Sequence, residues 1–527
     1  MKRIFWIILF AAVALATVTG CKKFLTREPL TGSLDDLKSG KLESQVYVMY
    51  SHLPWDWGFN LSWIDFHSIR DDDAEKGSNQ TDGAEVNTEF DQFVGYTKND
   101  WALNSYWNDH YAVITAANNA LATAKELNVT DPASLRNIGE ACFFRAYCYF
   151  ELVKDFGQVP LINYAVLKPE DAIRAKSPID SIYMQIDSDL TVASQYLPLT
   201  SSEYGAGFDG RLTKGAANTL WAQTYLFRKN WARVIGLCQE VIGSAQYSLV
   251  PFFPDLWKAG PNGSGHNTTE SIWETQTSVG QNAATNGSVD NGTMWQTCQS
   301  IRQGGASNDW NLGWGWNTPT QHLVDEWDAT DPRKNQTILY SGLYDGGTPE
   351  GGYGRTLPPY SASEAGGIAR KYWNKKVYSD PAMHSFTGQL TGNADWLGHR
   401  ILRYADVLLM LAEASNESGD GGTAAANLEL VRARARGGNN AVLPYIPFTS
   451  QDQMRVAIKN ERRWEFAMEG YRFYDLVRWT PAAGGIDTID APRVLGPIGY
   501  QPKNALYPLP QQVIDLSGGK LVQNPDY

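Results

Sequence analysis

Residues 450–469, SQDQMRVAIKNERRWEFAME, decide the fold. Met454, Ala457, Ile458, Glu461, Trp464, Glu465 and Met468 recur at the three- and four-residue spacing of one helix face. Ser450, with Gln453 three positions on, predicts a capping box at the start of a helix running to about Glu469. Two carboxylates lie in this inward stripe, and a buried charge without a partner is very costly. Arg403, Arg432 and Arg434 on the neighbouring predicted helices are the expected partners. The stripe therefore predicts structural ion pairs rather than a catalytic dyad.

Outward from this stretch the same period recurs. Ile401, Leu402, Ala405, Leu408, Leu409 and Ala412 form one apolar stripe, and residues 428–435 continue it after the break at 419–422. Between about 100 and 250, Trp107, Tyr111, Ile114 and Asn118 mark one helix. Phe144, Tyr147, Cys148, Glu151 and Leu152 mark a second, stopped by Gly157 and Pro160. Further helices are expected over 179–197, 211–228 and 231–242. Consecutive helices joined by short loops suggest hairpins stacked as in tetratricopeptide arrays, although the repeat consensus is not met. Residues 251–395 change character: Gly, Asn, Ser, Thr and Pro dominate, with Trp and Tyr among them, which predicts long loops and short strands. Residues 55–100 form a smaller patch of the same kind.

The chain has 527 residues, enough for about three domains or one large one. A hydrophobic fraction of 43% excludes wholesale disorder. A net charge of −12 lacks the cationic footprint that phosphate backbones demand, so nucleic acid is not an expected partner. Five Cys make neither a disulfide framework nor a CxxC metal site; Cys142 and Cys148 fall on one predicted helix, too far apart for a bridge. No HExxH pair, Gly-x-Ser-x-Gly elbow or phosphate loop occurs, so no metal or cofactor is expected. The triplet Asp71-Asp72-Asp73 suggests a hard cation such as Ca²⁺, but it lacks EF-hand spacing and reads as a solvated loop. The unusual quantity is aromatic: 19 Trp, 26 Tyr and 19 Phe exceed what a core needs, and exposed aromatic surface marks binding sites.

Lys2 and Arg3 precede an apolar run, 4–15, then Val18-Thr19-Gly20-Cys21. A basic start, a short apolar stretch and a small-residue exit describe an export signal over 1–20. Ending at a Cys resembles a bacterial lipoprotein signal, in which Cys21 is acylated and anchors the mature chain. An ordinary secretory signal with an incidental Cys is the alternative.

Several blocks, taken in order, carry a wider likeness. They are Trp107-x3-Tyr111-x2-Ile114-x2-Ala117-Asn118; Gly139 to Tyr147 continuing through Asp155-Phe156-Gly157-Gln158-Val159-Pro160-Leu161; Gly210 to Ala217; and Glu270 to Glu274. Asn317-x-Pro319-Thr320, Asp331-Pro332-Arg333, Leu402 to Leu409, Glu461 to Arg472, Tyr507-Pro508-Leu509-Pro510 and Gln523 to Tyr527 complete the set. Together they resemble the SusD/RagB-like family of bacterial surface lipoproteins across nearly the whole mature chain. The resemblance implies a mainly α fold, with about four tetratricopeptide-like helix pairs and an irregular loop-rich half carrying short strands. It partitions the chain into a signal over 1–20, a helical part over 21–250, a loop-rich aromatic part over 251–399 and a helical part over 400–527, one compact domain overall. It implies an outer-membrane lipoprotein facing the exterior, non-catalytic, that captures glycan for a SusC-like TonB-dependent transporter; some members take peptides.

A sugar ring has an apolar face that an indole covers and a rim of hydroxyls that Asp, Asn or Arg binds. Two loop regions offer both. One holds Trp55, Trp57, Trp63, Asp65, Arg70, Asp71, Asp72, Asp73 and Trp101; the other holds Trp295, Trp310, Trp314 and Trp316 with Asn308 and Asp309, and Trp373 lies further along. Trp107, Trp221, Trp231, Trp464 and Trp479 sit in predicted helices or family blocks and read as core. Peptide capture by the same architecture, a glycoside hydrolase using two loop carboxylates and a helical scaffold binding only protein are the competing readings.

Overall fold

In the computed structural model the described residues are 41–79, 81–97, 99–260, 265–277, 292–303, 310–363, 367–382, 395–481 and 489–527. Cys21, the export signal, Asn308 and Asp309 lie outside them. The long apolar stripes become helices with side-chain caps on most of their first turns. They are α1 (Glu43–His52), α2 (Leu61–His67), α3 (Trp101–Glu126), α4 (Pro132–Phe156), α5 (Ile179–Tyr196), α6 (Lys214–Phe227) and α7 (Trp231–Gly243). After the short α8 (Met294–Gln299) follow α9 (Tyr404–Glu417), α10 (Gly421–Arg436), α11 (Gln451–Phe466) and α12 (Arg472–Trp479). Asp100, Asp131, Thr213, Asn230 and Asp420 each accept a hydrogen bond from a first-turn amide, the usual remedy for unpaired N–H groups there. Ser450 caps α11 by accepting from the Gln453 amide at 3.2 Å.

Consecutive helices pack on one another: α3 on α4, α4 on α5, α5 on α6, α6 on α7, α7 on α9, and α9 on both α10 and α11. This is the tetratricopeptide-like array. Phe143, Phe144, Leu152, Ile186 and Leu190 are fully buried within it. α11 ends three residues earlier than the stripe suggests. Met468 and Gly470 adopt positive φ, and Gly470 lies so close to Trp63 that a Cβ there would sit 2.5 Å from the indole.

Among the described residues, three two-stranded antiparallel ladders hold the loop-rich half. β1 (Ala74–Gly77) pairs with β3 (Trp316–Pro319), setting Gly77 opposite Trp316. β2 (Ser271–Glu274) pairs with β6 (Arg400–Arg403), and β4 (Ile338–Tyr340) with β5 (Tyr372–Asn374). The first ladder draws the early aromatic patch against the later one.

Glu461 and Glu465 are fully buried and paired. Glu461 accepts from Arg432 and from Arg333, each at 2.7 Å; Glu465 accepts from Arg403 at 2.7 Å, Arg333 at 3.0 Å and Arg434. Arg403 also binds Glu270 (2.9 Å) and Glu469 (2.8 Å), Arg434 binds Glu270 (2.7 Å), Lys376 binds Glu469 (2.5 Å), and Arg333 binds Asp331 (2.8 Å). Five cations thus meet five carboxylates, and the buried network is neutral. Burial pushes the Glu465 carboxyl up, but Arg434, Arg403 and Arg333 override it and hold it well below the usual carboxylate range.

Asp71-Asp72-Asp73 is not a solvated loop. Asp72 accepts from Arg472 at 2.9 Å and Arg463 at 3.1 Å, and Asp73 from Arg463 at 2.6 Å, all buried. Two arginines 390 and more residues away supply the counter-charge that water would otherwise give. Cys142, Cys148, Cys238 and Cys298 are free and buried. Among the described residues no helix is long and apolar enough to cross a membrane.

Candidate functional site

Trp57 is 46% exposed and occupies a short turn, Trp57–Phe59, between α1 and α2. The turn is pinned from behind, because the Gly58 amide donates to Asp109 on α3 at 2.7 Å. A Cβ on Gly58 would lie 2.8 Å from both the Asp109 side chain and the Ser105 carbonyl, so only glycine allows this approach. Trp101 begins α3, half-buried, and its ring meets that of Trp57 edge-on at 5.3 Å. The Trp101 indole N–H donates to Glu85 at 3.2 Å, which fixes the ring plane. Trp314, also half-buried, arrives from the other loop region; its amide donates to the Thr297 carbonyl at 2.8 Å and its ring tilts towards Trp57 at 6.2 Å.

These three indoles surround an open hollow of about 740 Å³. Trp316 forms its floor, 4% exposed, beneath Gly83. Gly83 has φ +58°, and a Cβ there would lie 2.5 Å from the Trp316 ring, so a second glycine admits the floor. Leu61, Ser105, Asp82, Glu85 and Arg302 complete the lining. Arg302 donates to Asp82 at 2.8 Å and to the Ser78 hydroxyl at 2.9 Å. Burial pushes the Asp109 carboxyl up to about 6, against the pull of the Gly58 amide, and the Glu89 carboxyl behind Trp101 up to about 7.

The other residues read from sequence as ligand contacts lie elsewhere. Trp63 stacks on His67 at 3.8 Å and Trp295 on His399 at 3.8 Å; the two indoles meet each other at 5.3 Å and both are nearly fully buried. Trp373 is fully buried, donates to Ser341 at 3.0 Å and backs Gly315 beside the hollow. Trp310 is half-buried, stacked on Tyr378 at 6.4 Å, away from the hollow. Asp65 is fully buried, and neither carboxylate oxygen has a hydrogen-bond partner among the described residues; burial raises its carboxyl well above the usual range. Arg70 is enclosed by the rings of Tyr507 (3.8 Å), Phe473 (4.2 Å), Phe93 (5.4 Å) and Tyr96 (5.8 Å) and donates to the Asn504 carbonyl. Asp72 belongs to the ion pairs above. For the buried residues among these the cause is the same: packing from distant segments covers side chains whose local sequence looks loop-like.

Sequence reasoning missed Asp82, Gly83, Glu85 and Arg302. Asp82-Gly83 is a turn dipeptide inside the early aromatic patch, which was the available signal.

A second hollow of about 470 Å³ lies among α7, α9, α11 and α12. Several of its charges pair with one another, as in Arg455–Glu417 at 2.6 Å and Arg478–Glu413 at 2.5 Å, and Trp479 is buried. His67, Glu151 and Asp155 have ligand atoms close enough for one ion. However, the Lys154 ammonium is 2.8 Å from Glu151, the Tyr106 hydroxyl bonds Glu151 at 3.0 Å, and Tyr474 bonds Asp155. Glu151 is thus already paired with a lysine ammonium, and the cluster reads as a hydrogen-bonded polar core.

A model of the SusD family matches residues 269–527, and one described as starch-binding associating with outer membrane matches 67–226. The chain is 27% identical over 452 residues to SusD-like protein P2 of Formosa agariphila, covering 81% of each. Its fold is similar to that of a laminarin binding SusD-like protein, with TM-score 0.72 and 26% identity over 92% of this chain and 99% of that one. Surface glycan-binding protein A from Bacteroides fluxus gives TM-score 0.69 and 25% identity over 93% and 99%.

Proposed function

The chain belongs to the SusD/RagB-like family, and from that premise we propose that it is a cell-surface glycan receptor that holds oligosaccharide in the Trp57–Trp101–Trp314 hollow. The observation that carries this reading is the grouping of three indoles with open ring surface at one hollow, edged by carboxylates and a guanidinium. Flat rings held at different tilts suit successive faces of a curved sugar chain, and the carboxylates accept from hydroxyls along its rim. Rings already packed on one another lose little freedom when a ligand arrives, which favours affinity. Relatives whose names specify laminarin or surface glycans support the ligand class.

In this reading Cys21 carries the acyl anchor in the outer membrane, and captured glycan passes to a SusC-like TonB-dependent transporter. The groups around the hollow bind and orient; the reading assigns them no chemistry. Titration of the protein with oligosaccharides and with peptide digests, followed by tryptophan fluorescence, tests it. Saturable quenching by glycan, lost in Trp314→Ala and with no release of reducing ends, supports capture. Saturable peptide binding without glycan response replaces glycan by peptide, and reducing-end release replaces the receptor by a hydrolase. A Cys21→Ala chain that stays at the outer surface refutes the anchor.

A further inference from the structure

We propose that the hollow selects electrically neutral glycans and rejects uronic and sulfated ones, with Glu85 and the Asp82–Arg302 pair as the selecting groups. This rests on the receptor reading above. Arg302 is the cation lining the hollow among the described residues, and it is already engaged. One guanidinium nitrogen donates to Asp82 at 2.8 Å and to the Ser78 hydroxyl at 2.9 Å, while that hydroxyl itself donates to Asp82 at 2.8 Å. An anionic sugar would have to break this triangle to use the positive charge.

Glu85 is left over. It is exposed, and the one described bond of its carboxylate is with the Trp101 indole N–H. Further carboxylates lie near the rings: Asp56 and Asp109 beside Trp57, and Asp100 capping the helix that Trp101 begins. The cations nearby are occupied as well. His52 pairs with Asp56 at 2.5 Å; Lys76 is buried and donates to the Asn79 and Asp82 carbonyls; Arg370 donates to the Gly77 and Ser78 carbonyls. Among the groups lining the hollow, Asp82 and Arg302 offset one another, and the charge left facing the rings is that of Glu85. A carboxylate or sulfate on a stacked sugar feels Glu85 at a few ångströms, which amounts to about a tenfold loss of affinity in physiological salt and more at low salt. A neutral sugar has no such cost. Its vicinal hydroxyls donate to Glu85 and Asp82, and the remaining Arg302 N–H groups donate to ring or hydroxyl oxygens.

The test is calorimetric titration of the protein with laminarihexaose, cellohexaose and xylohexaose, and with oligogalacturonate and oligomannuronate of matched length, at low and at high salt. Neutral chains are expected to bind with little salt dependence, and uronates about tenfold or more weaker, the gap closing at high salt and in Glu85→Gln. Asp82→Asn should free the Arg302 guanidinium and raise uronate affinity about tenfold. Both side chains are partly exposed, so these variants fold. Uronate binding as tight as that of the neutral chains, and abolished by Trp314→Ala, overturns the selectivity while leaving the receptor reading intact. An unchanged ratio in both variants overturns the roles of Glu85 and Asp82. No response to any glycan overturns the receptor reading, and the inference falls with it.

Discussion

Replacing Trp57 by alanine separates ligand contact from folding. An indole presents roughly 250 Å², and 46% of Trp57 is exposed, which leaves roughly 110 Å² open. A stacked sugar covers one face, about half of that. At ~25 cal/mol per Å² the loss is ~1.5 kcal/mol, or about tenfold in Kd. Its exposure also means that the substitution costs little stability. Trp295→Ala is the matched control: 6% exposed and stacked on His399 at 3.8 Å, it should lower unfolding free energy by ~3–5 kcal/mol. Calorimetric titration with the best-binding oligosaccharide, beside urea unfolding of both variants, gives the answer. A Trp57→Ala Kd within twofold of the parent, in a protein of unchanged stability, would refute the assignment of this ring to the site.

Glu465→Gln leaves Arg403, Arg434 and Arg333 partly unanswered in a buried network, and unfolding free energy should fall by ~3–5 kcal/mol; urea unfolding checks it. Gly83→Ala puts a Cβ 2.5 Å from Trp316 at a φ of +58°, so it should cost ~1–3 kcal/mol and weaken glycan binding together, seen as a lower Tm and a higher Kd. Burial raises Asp155 to about 7, against the pull of Lys154. The folded chain therefore binds this proton more tightly than the unfolded one, and its contribution to stability declines as pH rises from ~4 to ~7. Asp155→Asn should flatten that part of the stability–pH profile, measured by urea unfolding at stepped pH.

The helical array was legible because its signal is local. Apolar residues at helical spacing, Ser or Asp before the first turn and Gly or Pro after the last suffice to place α4 or α11. The pairing of Glu461 and Glu465 with Arg403, Arg432 and Arg434 was legible too, since acids in an apolar stripe demand cations. Arg333 was not, because the bend Asp331-Pro332-Arg333 is polar and reads as surface until packing covers it. The proposed hollow was half legible. Trp57, Trp101, Trp314 and Trp316 are among the rings singled out, but Trp63, Trp295 and Trp373 have equally loop-like neighbours and lie in the core. Indole exposure is decided by segments hundreds of residues away, and no local pattern carries it. The same is true of Arg70, whose cage comes from residues 93, 96, 473 and 507.

The strip from Ser68 to Gly77 has consequences for how the molecule is born. Ser68 bonds Asn317, Asp72 and Asp73 bond Arg463 and Arg472, and Arg70 bonds the Asn504 carbonyl. A ribosome delivers this strip first and its companions last. Until nearly the whole polypeptide has been made, two acids and a guanidinium destined for a dry interior stay in water. Early collapse around them is thereby discouraged, and a chain cut short before residue 460 is left with orphaned charges where its floor should be.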